Sequence, residues 1–100
     1  MLDSKLKNEL EEIFMKYKEV DKVLLFGSRA RGDHKINSDV DLCIFGDDVT
    51  HLILAKIYMD LYEIDTPLSF DIVQFTELSK KELIKNILSE GVVIYNGEKA

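Results

Sequence analysis

A chain of 100 residues has room for one domain, with a core near the lower size limit of self-sufficiency. Its 46% hydrophobic and 32% charged residues exclude a disordered polymer, and its longest apolar runs, such as Val23–Phe26 and Leu42–Phe45, are far too short to span a bilayer. The formal net charge of −6 excludes a general nucleic-acid-coating protein, which needs a basic surface to neutralise phosphates, whereas a site that gathers divalent cations tolerates negative charge.

The first residues, Met1-Leu2-Asp3-Ser4-Lys5, contain no apolar secretory segment, so the expected address is cytoplasmic. Leu6, Leu10, Ile13, Phe14 and Tyr17 recur at helical spacing and predict an amphipathic helix over residues 3–18. Val20–Phe26 reads as a strand ended by Gly27, and residues 32–38 as a polar loop. Asp39–Phe45 is a second strand, closed by Gly46-Asp47-Asp48. Cys43, the only cysteine, forms no intrachain disulfide and reads as a small buried hydrophobe. Asp47 or Asp48 can cap a helix over residues 49–64. The apolar residues of that helix cover more than one stripe, which fits either a wrapping core or an interface with a partner.

Pro67 precedes a third strand, Ser69–Phe75. Ser79-Lys80-Lys81-Glu82 has capping-box spacing and opens a helix with Leu83, Ile84, Ile87 and Leu88, which stops at Gly91. Val92–Tyr95 is a short last strand. A helix between strands two and three predicts an α/β (α+β) fold, a small mixed sheet flanked by helices, spanning residues 1–100 as one domain.

Two segments carry the chemistry. Gly27-Ser28-Arg29-Ala30-Arg31-Gly32 follows a buried strand. A glycine lets the backbone approach a phosphate, a hydroxyl and N–H groups donate to its oxygens, and Arg29 and Arg31 add positive charge. In Asp39-Val40-Asp41 the two acids, two residues apart, share one face of a strand while Val40 enters the core. Like charges side by side repel, and Mg²⁺, a hard ion held by one or two carboxylates with phosphate and water, resolves the conflict. Asp71 is the one charge in the apolar strand Leu68–Phe75, and because a buried unpaired carboxylate is costly it is expected to be either exposed or satisfied by a cation. If that strand lies beside Asp39–Phe45, Asp71 completes a cluster able to hold two metals, which stabilise the attacking and leaving oxygens of a displacement at phosphorus. His34 and His51 lack ligand spacing and read as surface residues, and Lys80, Lys81 and Lys85 as a solvated face. Tyr17, Tyr58, Tyr62 and Tyr95 follow core periodicity, and none is singled out as an acceptor.

Gly27-Ser28-Arg29-Ala30-Arg31-Gly32 followed by Ser38-Asp39-Val40-Asp41-Leu42 resembles the signature of the DNA polymerase β-like nucleotidyltransferase superfamily. The likeness extends over the whole chain to its small prokaryotic branch, the minimal nucleotidyltransferase (MNT) domains. The resemblance implies the polymerase β-like fold, with Gly27 and Ser28 on the triphosphate of ATP. It further implies Asp39 and Asp41 on two Mg²⁺ ions, and Asp71 as the third metal-site acid that helps activate the attacking hydroxyl. Arg29 and Arg31 either touch phosphates or pair with acids. After Phe75 only one helix, a short strand and a tail remain, so the expected acceptor is held by, or is, another polypeptide. MNT domains typically work with a helical HEPN protein, some as antitoxins that transfer AMP onto a toxin tyrosine. The alternatives are an antitoxin that neutralises its HEPN ribonuclease by docking alone, and transfer to a small molecule or an RNA end.

Overall fold

The computed structural model describes residues 2–33, 35 and 39–97. Helix α1 spans Ser4–Met15, strand β1 Lys22–Phe26 and a single turn of helix, α2, Ser28–Arg31. Strand β2 covers Val40–Phe45, helix α3 His51–Tyr62 and strand β3 Phe70–Gln74. A 3₁₀ turn at Phe75–Glu77 leads to helix α4, Lys81–Glu90, and strand β4, Val92–Asn96. Each expected helix and strand is present; all but the last are shorter than expected by one to a few residues, and β4 extends one residue further, to Asn96. The turn α2 is new, because a Gly-Ser-Arg sequence carries too few apolar positions to show a helical period. His34, Ser38 and the tail 98–100 lie outside the described residues.

The four strands form one mixed sheet in the order β3-β2-β1-β4. β1 runs antiparallel to β2 and β4, while β2 and β3, joined through α3, are parallel. Strand alternation divides the apolar side chains between two faces. Val23, Leu25, Val40, Leu42, Ile44 and Ile72 meet Leu6, Leu10, Phe14, Ile57 and Leu61 of α1 and α3 in the larger cluster. Leu24 and Cys43 meet Ile87 of α4 in the smaller one. β2 is therefore buried on both faces, as its unbroken apolar run from Leu42 to Phe45 requires.

Two caps differ from the sequence expectation. Thr50, rather than Asp47 or Asp48, caps α3, its Oγ1 accepting from the Ile53 N–H at 3.2 Å. Val49 is buried and its carbonyl accepts from Gln74 Nε2 at 2.9 Å, which keeps Val49 outside the helix after the turn at Asp47-Asp48. At α4 the N-cap position falls on Lys80 with no side-chain cap, so Ser79 does not act in a capping box. Leu78 packs into the smaller cluster and sets that later start. α3 buries Ile57 and Leu61 yet leaves Leu52, Met59 and Tyr62 exposed, so Tyr62 departs from the expected core pattern. Among the described residues no helix is long and apolar enough to cross a membrane.

Candidate active site

The sheet brings the expected site residues to one end. Phe26 of β1 is the register partner of Asp41, and Asp41 is in turn the partner of Asp71 on β3. Their neighbours Val40, Leu42, Phe70 and Ile72 belong to the α1/α3 cluster. Alternation therefore turns both carboxylates to the opposite face, the one on which Cys43 and Val73 meet α4. Asp39, exposed, stands immediately before β2.

Gly27 closes over this pair. Its backbone has φ 74° and ψ −156°, a region open essentially to glycine alone. A Cβ there would stand 2.5 Å from Asp41 Oδ2 and 3.3 Å from its Cγ. The missing side chain thus serves both the turn and the room beside the acid. The Gly27 carbonyl accepts from the Ala30 and Arg31 N–H groups at 3.1 and 3.2 Å. The Ser28 carbonyl accepts from those of Gly32 and Asp33 at 2.9 and 3.1 Å. Gly32 ends the turn in the left-handed region, at φ 84°.

The electrostatics follow the geometry. Burial pushes the Asp41 carboxyl above its ordinary value, and the charges of Asp71 and then Asp39 push it the same way, with Arg31 opposing them. A carboxylate held so, beside a second one, is a site for positive charge. Among the described residues no three His, Cys, Asp or Glu side chains form a ready-made ion cage. The arrangement is a carboxylate pair with a third acid within electrostatic reach. That donor set suits Mg²⁺, which keeps waters and takes phosphate oxygens as its remaining ligands.

The two arginines separate. Arg29 is buried at 6% exposure and is engaged inside the protein. Arg31 is exposed; its Nε donates to Asp33 Oδ2 at 3.1 Å, and its Nη1 lies 3.6 Å from Glu90 Oε2. Glu90 went unseen in the sequence, where it reads as the last-turn residue of a helix stopped by glycine. His51 stands exposed at the start of α3, and Lys80, Lys81 and Lys85 are exposed, as expected of a solvated face. Burial pushes the Cys43 thiol up to about 12, which makes it inert.

Residues 8–100 match the family described as Polymerase beta, Nucleotidyltransferase. The chain belongs to this family. A protein of Methanocaldococcus jannaschii named as a candidate protein adenylyltransferase is 34% identical over 80 residues, covering 76% of this chain and 79% of that one. A solved structure named as a candidate minimal nucleotidyltransferase superposes with a TM-score of 0.71 at 25% identity, over 88% of each chain. A chain of a toxin–antitoxin crystal structure with AMP-PNP superposes with a TM-score of 0.74 at 18% identity, over 90% of this chain and 73% of that one, a likeness of fold. The paired acids and the glycine turn thus lie at one end of the mixed sheet of a chain of this family.

Proposed function

We propose that this nucleotidyltransferase moves AMP from ATP, with Mg²⁺, onto a tyrosine hydroxyl of a helical HEPN partner toxin, and so acts as its antitoxin. The observation that carries the reading is the register pairing of Asp41 with Asp71 directly beside the Cβ-free Gly27 turn. The name of the M. jannaschii relative supports a protein acceptor, and the toxin–antitoxin structures that share the fold support a toxin partner.

Asp39, Asp41 and Asp71 are the residues that would hold Mg²⁺, whose charge would offset the burial and mutual repulsion that lift the Asp41 carboxyl. When bound, the cation neutralises triphosphate charge and lowers the barrier to displacement. Gly27 lets the triphosphate approach the backbone, and Ser28 offers it a hydroxyl at the start of α2. The acceptor oxygen forms a bond to the α-phosphorus while the bond to the bridging oxygen breaks and pyrophosphate leaves. Asp71, the outermost acid of the pair and exposed, accepts the proton of the attacking hydroxyl. The protein contributes position and charge, as phosphoryl chemistry generally demands.

The test is to incubate the protein, its genomic neighbour and Mg²⁺ with α-labelled and, separately, γ-labelled ATP. The proposal expects α-label and the mass of AMP on a tyrosine of the neighbour, and no γ-label. A stable, inhibited complex without label would replace catalysis by docking. Label on RNA or a small molecule would replace the acceptor.

A further inference from the structure

Arg31 ends α2 and Glu90 ends α4, two elements far apart in the chain that the sheet brings to one rim of the site. Asp33 takes the guanidinium at Nε, at 3.1 Å, and Glu90 faces Nη1 at 3.6 Å, an ion pair rather than a hydrogen bond. Carboxylates from two different elements therefore fix the guanidinium plane. These contacts use Nε and Nη1.

Stability does not account for this bridge. Arg31 is 47% exposed, and ion pairs in that setting contribute little. Meanwhile Glu90 Oε2 is shielded from solvent and accepts no hydrogen bond among the described residues, a state unfavourable for a charged oxygen. Nor can Glu90 easily retreat. At the next residue, Gly91, a Cβ would stand 2.4 Å from the Ile87 carbonyl oxygen and 2.9 Å from Leu24 Cδ1. The end of α4 is thus seated tightly on β1, and Glu90 with it. At the far end of the bridge the charge of Arg31 reaches Asp41, where it opposes the repulsion of the neighbouring acids.

We propose that Glu90 is a positioning residue for nucleotide binding. With Asp33 it holds the guanidinium of Arg31 at the rim of the Asp41–Asp71 site, with its Nη2 edge presented to an anionic oxygen of the triphosphate. The inference rests on reading that site as the nucleoside triphosphate site. An arginine ordered before the ligand arrives loses less side-chain freedom on binding, and its planar fork suits phosphate oxygens.

The experiment measures the affinity for AMP-PNP with Mg²⁺, and KM and kcat for ATP, in the full chain and in Glu90→Gln, Glu90→Ala, Arg31→Ala and the Arg31→Ala/Glu90→Ala double variant. Glu90→Gln, which keeps the volume and the fold, is expected to weaken AMP-PNP binding about 2- to 10-fold, the cost of ordering one long side chain. KM should rise correspondingly with kcat nearly unchanged. In the Arg31→Ala background the Glu90 substitution should add nothing, because its effect passes through that arginine. Unchanged or tighter binding by a folded Glu90→Gln variant would overturn the proposal, as would a Glu90 effect that persists in full without Arg31. Failure of the unaltered protein to bind AMP-PNP with Mg²⁺ would overturn the nucleotide-site reading itself, a result distinct from either.

Discussion

At the residue scale the site depends on what Gly27 lacks. A methyl group at this position would meet Asp41 Oδ2 at 2.5 Å and would force an L side chain into a backbone region it rarely adopts. Gly27→Ala should therefore lose about 1–3 kcal/mol of stability and most nucleotide affinity, as read by urea unfolding and AMP-PNP titration. A second residue-scale device lies away from the site. The Tyr17 hydroxyl donates to Asp60 Oδ2, and Lys16 Nζ approaches the same oxygen at 3.0 Å, tying the chain after α1 to α3. The hydrogen bond from Tyr17, then Lys16, holds the Asp60 carboxyl below its ordinary value, while burial and the Asp60 contact push the Tyr17 hydroxyl up to about 12. A lowered carboxyl stabilises the folded chain in full above its unfolded value near 4, and loses that contribution as pH falls through the folded value. Asp60→Asn mimics the protonated acid. It should cost about 1 kcal/mol at neutral pH, and the difference from the unaltered chain should fade as pH falls through the lowered folded value in paired denaturation curves. The acids Asp39, Asp41 and Asp71 were legible because spacing and isolation in an apolar run are local properties. The contact of Gly27 with Asp41 and the bridge from Arg31 to Glu90 were not, since each depends on how distant segments meet.

At the element scale, hydrophobic periodicity specified the elements and tertiary contacts trimmed them. The start of α3 offered three capping candidates in four residues, Asp47, Asp48 and Thr50, and local propensity does not choose among them. The choice is made by Val49, buried and bonded to Gln74 of β3, 25 residues further along the chain. Thr50→Ala should cost about 1 kcal/mol in thermal or urea unfolding. Asp48→Ala should fall within about 0.5 kcal/mol of no effect. The same measurement on Ser79→Ala should also show about 0.5 kcal/mol or less, although its spacing to Glu82 resembles a capping box. The parallel register of β2 with β3 is the element-scale fact that makes the site. The α3 crossover allowed a parallel pair to be expected, but nothing in the sequence places Asp71 opposite Asp41 rather than two residues along, where alternation would be equally satisfied.

At the scale of the whole molecule, one sheet keeps two tasks apart. Its α1/α3 face holds most of the core, while its other face, thinly covered by α4, carries the acids at one end of the strands. A rigid sheet suits chemistry that rests on position and charge. The measurement that tests this account most directly is the rate of α-label transfer from ATP by the chain and by its Asp39→Ala/Asp41→Ala variant, with unfolding curves recorded on both. The account predicts a loss of about 100-fold or more with no loss of stability, because the substitution removes charges that repel one another. Transfer at an undiminished rate by the folded variant would contradict it.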